Sequence, residues 1–91
     1  TKPSKEYFEK IIKKISDYMV ITRVEEGSDH WFIVVVGKDG IPIPDTPPYA
    51  IDKKTGDVSY LPGIPSSVLG EDITPLEKEY HEALGNTYLT W

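Results

Sequence analysis

A chain of 91 residues is one small domain, expected to span residues 1–91. It has no cysteine, which excludes disulfides and thiolate metal centres, and its net charge of −5 argues against nucleic-acid binding, which needs Lys/Arg density. No apolar run approaches the roughly 18 residues of a membrane-spanning helix, and the first apolar residues sit among lysines and glutamates rather than in a signal peptide. A cytoplasmic protein that contacts neither membrane nor nucleic acid is the expectation.

The charge is unevenly spread. Residues 1–24 carry six basic and three acidic side chains, whereas residues 25–91 carry four and twelve. An acidic body of this kind suits a basic protein partner, because complementary charge speeds encounter.

In chain order, Phe8, Ile11, Ile12, Ile15, Tyr18 and Met19 recur at helical spacing and predict an amphipathic helix over 4–19, with Ser4 as N-cap. Val20 to Glu25 is β-branched and alternating, and predicts a strand. Glu26-Gly27-Ser28-Asp29 is turn chemistry. Trp31-Phe32-Ile33-Val34-Val35-Val36 then returns antiparallel, and its two apolar faces place it in mid-sheet. The helix covers one face. Loop 38–47, the C-terminal tail or a second chain is expected to cover the other.

Four prolines in residues 37–48 forbid a helix or central strand there. Pro48-Tyr49-Ala50-Ile51-Asp52-Lys53-Lys54-Thr55-Gly56-Asp57-Val58 reads as a tight hairpin, with Gly56 in the left-handed position. Counting from the loop pairs Asp52 with Asp57, Ile51 with Val58 and Tyr49 with Tyr60. Leu61 to Gly70 is a second loop. Thr74-Pro75-Leu76-Glu77 opens a second helix with a capping box, its apolar face formed by Leu76, Tyr80, Ala83 and Leu84, and Gly85 stops it. Tyr88 to Trp91 has room for a short edge strand. The fold class is therefore α+β: an antiparallel sheet of about four strands against an N-terminal helix and a short C-terminal helix.

No residue set announces chemistry. The two histidines, His30 and His81, have no sequence relation to Ser66-Ser67, and no Gly-x-Ser-x-Gly occurs. Glu77 and His81, four apart on one helix, fall short of the three or four ligands of a zinc site and read as surface hydrogen bonding. Asp52 opposite Asp57 reads as an acceptor for loop amides. Gly37-Lys38-Asp39-Gly40 is too short for a phosphate loop. No enzyme, cofactor or metal is expected. Tyr88 and Trp91 lack a core position by periodicity. They are either protein-binding anchors or the closure of the open sheet face.

The order of these elements carries a resemblance. An amphipathic helix and strand lead to the Trp31–Val36 strand, then to the Tyr49–Val58 hairpin, and finally to the Pro-initiated acidic helix Thr74-Pro75-Leu76-Glu77-Lys78-Glu79-Tyr80. Over about residues 7–80 this resembles the YrhB-type family of small bacterial proteins, classed among predicted immunity proteins of polymorphic toxin systems. The resemblance implies a non-enzymatic inhibitor that occludes a cognate toxin, such as a basic nuclease. The expected partner-binding residues are Glu25, Glu26 and Asp29 in the first hairpin, Asp45 in the proline loop, Glu71 and Asp72 before the last helix, and Tyr88 and Trp91. The alternatives are a small chaperone-like domain, since one family member is associated with such activity, or a PepSY-like protease-regulating domain.

Overall fold

The apolar stripe of the first segment forms α1 (Lys5–Ile15), which buries Phe8 and Ile12. The computed structural model describes residues 2–43 and 47–91. α1 is shorter than its periodicity predicts. Ser16 is extended, and its side chain accepts the Tyr18 N–H, so the chain turns before the stripe is exhausted. Tyr18 is consequently exposed, and its hydroxyl donates to Asp39, which raises the phenol pKa. Ser4 stands at the N-cap position without a side-chain capping bond.

Among the described residues five strands follow: β1 (Met19–Glu26), β2 (His30–Gly37), β3 (Tyr49–Asp52), β4 (Val58–Tyr60) and β5 (Thr87–Thr90). They form one antiparallel sheet in the order β4-β3-β2-β1-β5, with β2 in the middle as its apolar hexamer requires. The hairpin register is Ile51 opposite Val58 and Tyr49 opposite Tyr60. Gly56 has φ 79°, and Asp52 accepts the Lys54 and Thr55 N–H groups, which lowers its carboxyl pKa. The strand beyond the expected four is the C-terminal tail itself, paired to the outer edge of β1.

α2 (Pro75–Ala83) lies between β4 and β5 in sequence. Thr74 and Glu77 form the full capping box. Leu84 lies past the helix end and is half exposed, so it leaves the expected apolar face.

The core has two parts, one on each side of the sheet. Phe8, Ile12, Ile21, Val24, Trp31, Ile33, Val35, Tyr49 and Ile51 pack between α1 and the sheet. On the opposite side, Phe32, Ala50, Leu61 and Ala83 meet Leu76 and Tyr80. The second face is therefore covered by α2 and the chain after Leu61, not by the tail. Tyr88 and Trp91 pack on the α1 side instead. Among the described residues, no helix is long and apolar enough to cross a membrane.

Candidate functional site

A β-bulge decides which acidic side chains are available. The β1–β2 register shifts between Ile21 and Arg23, so Thr22 is an extra residue. Both Ile21 and Val24 then face α1, and Arg23 and Glu25 are turned to the α2 side. Glu25 is only 2% exposed. Its carboxylate lies 2.8 Å from Arg23 Nε and accepts the Gly85 N–H at 3.1 Å. Expected to face a partner, Glu25 is instead an internal tie between β1 and the end of α2.

Two more carboxylates hold α2. Glu79 accepts the N–H groups of Asp29 at 2.8 Å and of His30 at 2.7 Å through one oxygen, while its other oxygen lies 2.8 Å from His30 Nδ1. Gly27 makes room for this contact, because a Cβ there would lie 2.6 Å from both the Glu79 carboxylate and the Phe32 ring. Glu77, 6% exposed, accepts from the Ser66 hydroxyl and N–H and from Thr74. These donors, the Ser66 hydroxyl first, hold its carboxyl at about 2. Glu77 is thus used twice, for the helix cap and for the preceding loop. His81 is exposed, and the expected Glu77–His81 pair does not form.

Together the β1–β2 turn and α2 frame an open groove of about 620 Å³, lined by Ser28, Asp29, His30, Thr74, Pro75, Leu76, Lys78, Glu79 and Glu82. Glu71 and Asp72, both exposed, precede Thr74 by three and two residues, so they sit at the same end of α2. Asp29 lines the groove, whereas Glu71 and Asp72 stand before the α2 N-cap and outside its lining. Glu26 lines an adjoining groove but is half-buried between Lys2 at 3.3 Å and Lys53 at 3.1 Å, and these pairs lower its pKa. Asp45 lies outside the described residues.

The aromatic expectations fall on the other side of the sheet. The Tyr88 ring lies tilted against Trp31 at 4.5 Å between centroids and edge-on to Phe8 at 6.1 Å, and its hydroxyl donates to the Pro3 carbonyl. Trp91 is half-buried beneath Lys5, whose ammonium is 5.2 Å from the ring centroid. Neither shares a surface with the acidic groove.

Sequence reasoning missed Glu79, Glu82 and His30. The signal for the first two was present: acids three apart on a helix share a face. The role of Glu79 depends on a residue pair 49 positions apart, which no local pattern carries. No family model matches this chain, and neither does any curated protein or solved structure.

Proposed function

We propose that this chain is an immunity protein that binds a cognate, basic bacterial toxin and blocks it by occlusion, without chemistry of its own. One observation carries the reading: Glu79 locks the β1–β2 turn to α2, so that Asp29 and Glu82 are presented on a fixed frame, with the exposed Glu71 and Asp72 shortly before the α2 N-cap. A surface set before binding loses less entropy on association than a mobile one. Acidic side chains steer a basic partner and raise its on-rate. The order of elements that resembles the YrhB-type family supports the same reading. Of the expected contacts, Asp29, Glu71 and Asp72 remain as the binding set, joined by Glu82.

A second reading, a small chaperone-like domain, draws on one observation. Ile64, Val68, Leu69 and Ile73 are each half or more exposed within a single loop. Exposed aliphatic surface of this kind serves promiscuous contact with unfolded chains.

Capture on the immobilised chain, washed at low and high salt, separates the two. Immunity predicts one stoichiometric basic protein that poisons growth when expressed alone and is relieved by this chain. Many abundant proteins, held weakly and regardless of salt, would replace it with the chaperone-like reading.

A further inference from the structure

His30 opens β2, and its ring is fixed along one edge. One oxygen of Glu79 lies 2.8 Å from His30 Nδ1, while the other takes the backbone N–H groups of Asp29 and His30. A carboxylate only accepts, so Nδ1 carries the proton. The neutral ring is then the Nδ1–H tautomer, and its Nε2 is a bare acceptor. Phe32, fully buried, backs the ring with the two centroids 6.1 Å apart. The structural tie does not need an imidazole, because Glu79 already holds the turn through two backbone N–H groups.

The other ring nitrogen is open. Among the described residues Nε2 has no hydrogen-bond partner, and no buried side-chain nitrogen or oxygen there lacks one, so Nε2 reaches solvent. His30 lines the groove against α2, and also an adjoining cleft of about 390 Å³ on the side of the β3–β4 hairpin.

The charges around the ring come from three elements. α2 contributes Lys78, Glu79 and Glu82, and the turn contributes Asp29. The β3–β4 hairpin adds Asp52, Lys53 and Lys54. Asp52 is occupied by the Lys54 and Thr55 amides, and Lys53 by Glu26. Asp29 and Glu82 are exposed and line the same groove as His30.

We propose that His30 Nε2 accepts an N–H from a basic side chain of the partner, and that protonation of the ring releases this contact. The inference rests on the reading of the groove as the surface for a basic partner. Protonation turns Nε2 from an acceptor into a donor and places a positive charge where the partner's cation sits. Nδ1 keeps its proton in both states, so the bond to Glu79 and the frame of the groove persist. The ring thus changes what the groove binds without changing its shape. Imidazoles ordinarily change charge between about pH 5 and 8, whereas carboxylates ordinarily stay ionised in that range.

The test uses the full isotope-labelled chain and an acetylated, amidated hexa-arginine peptide as the probe. At about pH 8, ring nitrogen spectra of the free chain should show His30 as the Nδ1–H tautomer, and the peptide should move the Nε2 resonance more than that of Nδ1. Peptide affinity should fall about tenfold between about pH 8 and about pH 5.5, the worth of one hydrogen bond to a charged group. His30→Asn keeps an N–H for Glu79 near the Nδ1 position but has no Nε2. It should weaken binding about tenfold at the higher pH and remove the pH dependence, with the Asp29 amide still protected from exchange. His81→Gln, at an exposed position of α2, should leave the pH dependence in place. An Nε2–H tautomer in the free chain, a peptide that fails to bind or leaves the His30 ring unmoved, or the same pH profile in His30→Asn would overturn the proposal. The ring spectra of the unaltered chain decide the matter even where His30→Asn loosens the turn. A captured toxin whose affinity ignores His30 would remove this inference and leave the immunity reading standing. A His30-dependent peptide with no toxin captured would do the reverse.

Discussion

The two sides of the sheet are held by different physics. The α1 side is a continuous apolar core, with Phe8, Trp31 and Tyr88 in edge-on or tilted contact at 4.5–6.1 Å. The α2 side has a smaller apolar cluster, and three carboxylates fasten it: Glu77 at the start of the helix, Glu79 in its middle and Glu25 at its end. Apolar burial is non-directional and nearly independent of pH and salt. Hydrogen bonds to carboxylates are directional, and protonation weakens them by removing the charge. The α1 side therefore sets stability, and the α2 side fixes a geometry. A fixed geometry is what a binding surface needs.

Phe8 should dominate the stability of the α1 side. Phe8→Ala should cost about 3–5 kcal/mol in chemical denaturation, through lost burial and the cavity left behind. A loss below that of any single α2-side substitution would reverse the ranking of the two sides.

Two smaller changes act on the ties. Glu25→Ala strands Arg23 and the Gly85 N–H and should cost about 1–3 kcal/mol. Gly27→Ala should cost a similar ~1–3 kcal/mol, because its methyl must displace the Phe32 ring and the Glu79 carboxylate. In amide exchange, Gly27→Ala should also release the Asp29 and His30 N–H groups while α1 stays protected. Uniform loosening across both sides would contradict the division.

Acid should act on the two sides of the sheet differently. The Glu77 carboxyl titrates at about 2 in the folded chain against 4.5 ordinarily, so between those values the unfolded state binds more protons. Its contribution is complete above about pH 4.5 and disappears as pH falls through about 2. Loop 61–73 and the start of α2 should open in that window before α1 does, and Glu77→Gln should remove most of this pH dependence. Near-ultraviolet dichroism of Tyr80, which packs on Phe32 at 5.2 Å, reads the change.

Smallest of all is the expected effect of surface charge on stability. Replacing Asp29, Glu71 and Asp72 with their amides should leave the unfolding midpoint unchanged, yet slow association with a basic partner and flatten its dependence on salt. An unchanged on-rate would remove these residues from the binding surface.

Much of this architecture could be read from the residues. The hairpin register followed from the Gly56 turn, the α2 start from Thr74-Pro75-Leu76-Glu77, and the mid-sheet place of β2 from its two apolar faces. What failed did so for identifiable reasons. The stripe through Tyr18 and Met19 continued helical spacing, but Ser16 turned the chain and Met19 opened a strand. As an acid of the first hairpin Glu25 reads as a surface residue, yet it is buried. The apolar pair Ile21 and Val24, three apart in a strand, was the trace of the bulge at Thr22 that turns Glu25 inward. The candidate site was half legible. Asp29, Glu71 and Asp72 stand out as loop acids, but the frame that holds Asp29 against α2 depends on Glu79 reaching back to His30, and only the folded chain brings those two residues together.

The most direct measurement is growth protection against the captured partner, made with two charge-reversed variants of this chain. One carries Asp29→Lys, Asp72→Lys and Glu82→Lys on the α2 side. The other carries Lys10→Glu, Lys13→Glu and Lys14→Glu on the exposed face of α1. The first variant should fold but no longer protect, and the second should protect like the unaltered chain. Protection retained by the first, or lost only in the second, would contradict the assignment of the α2 side as the binding surface.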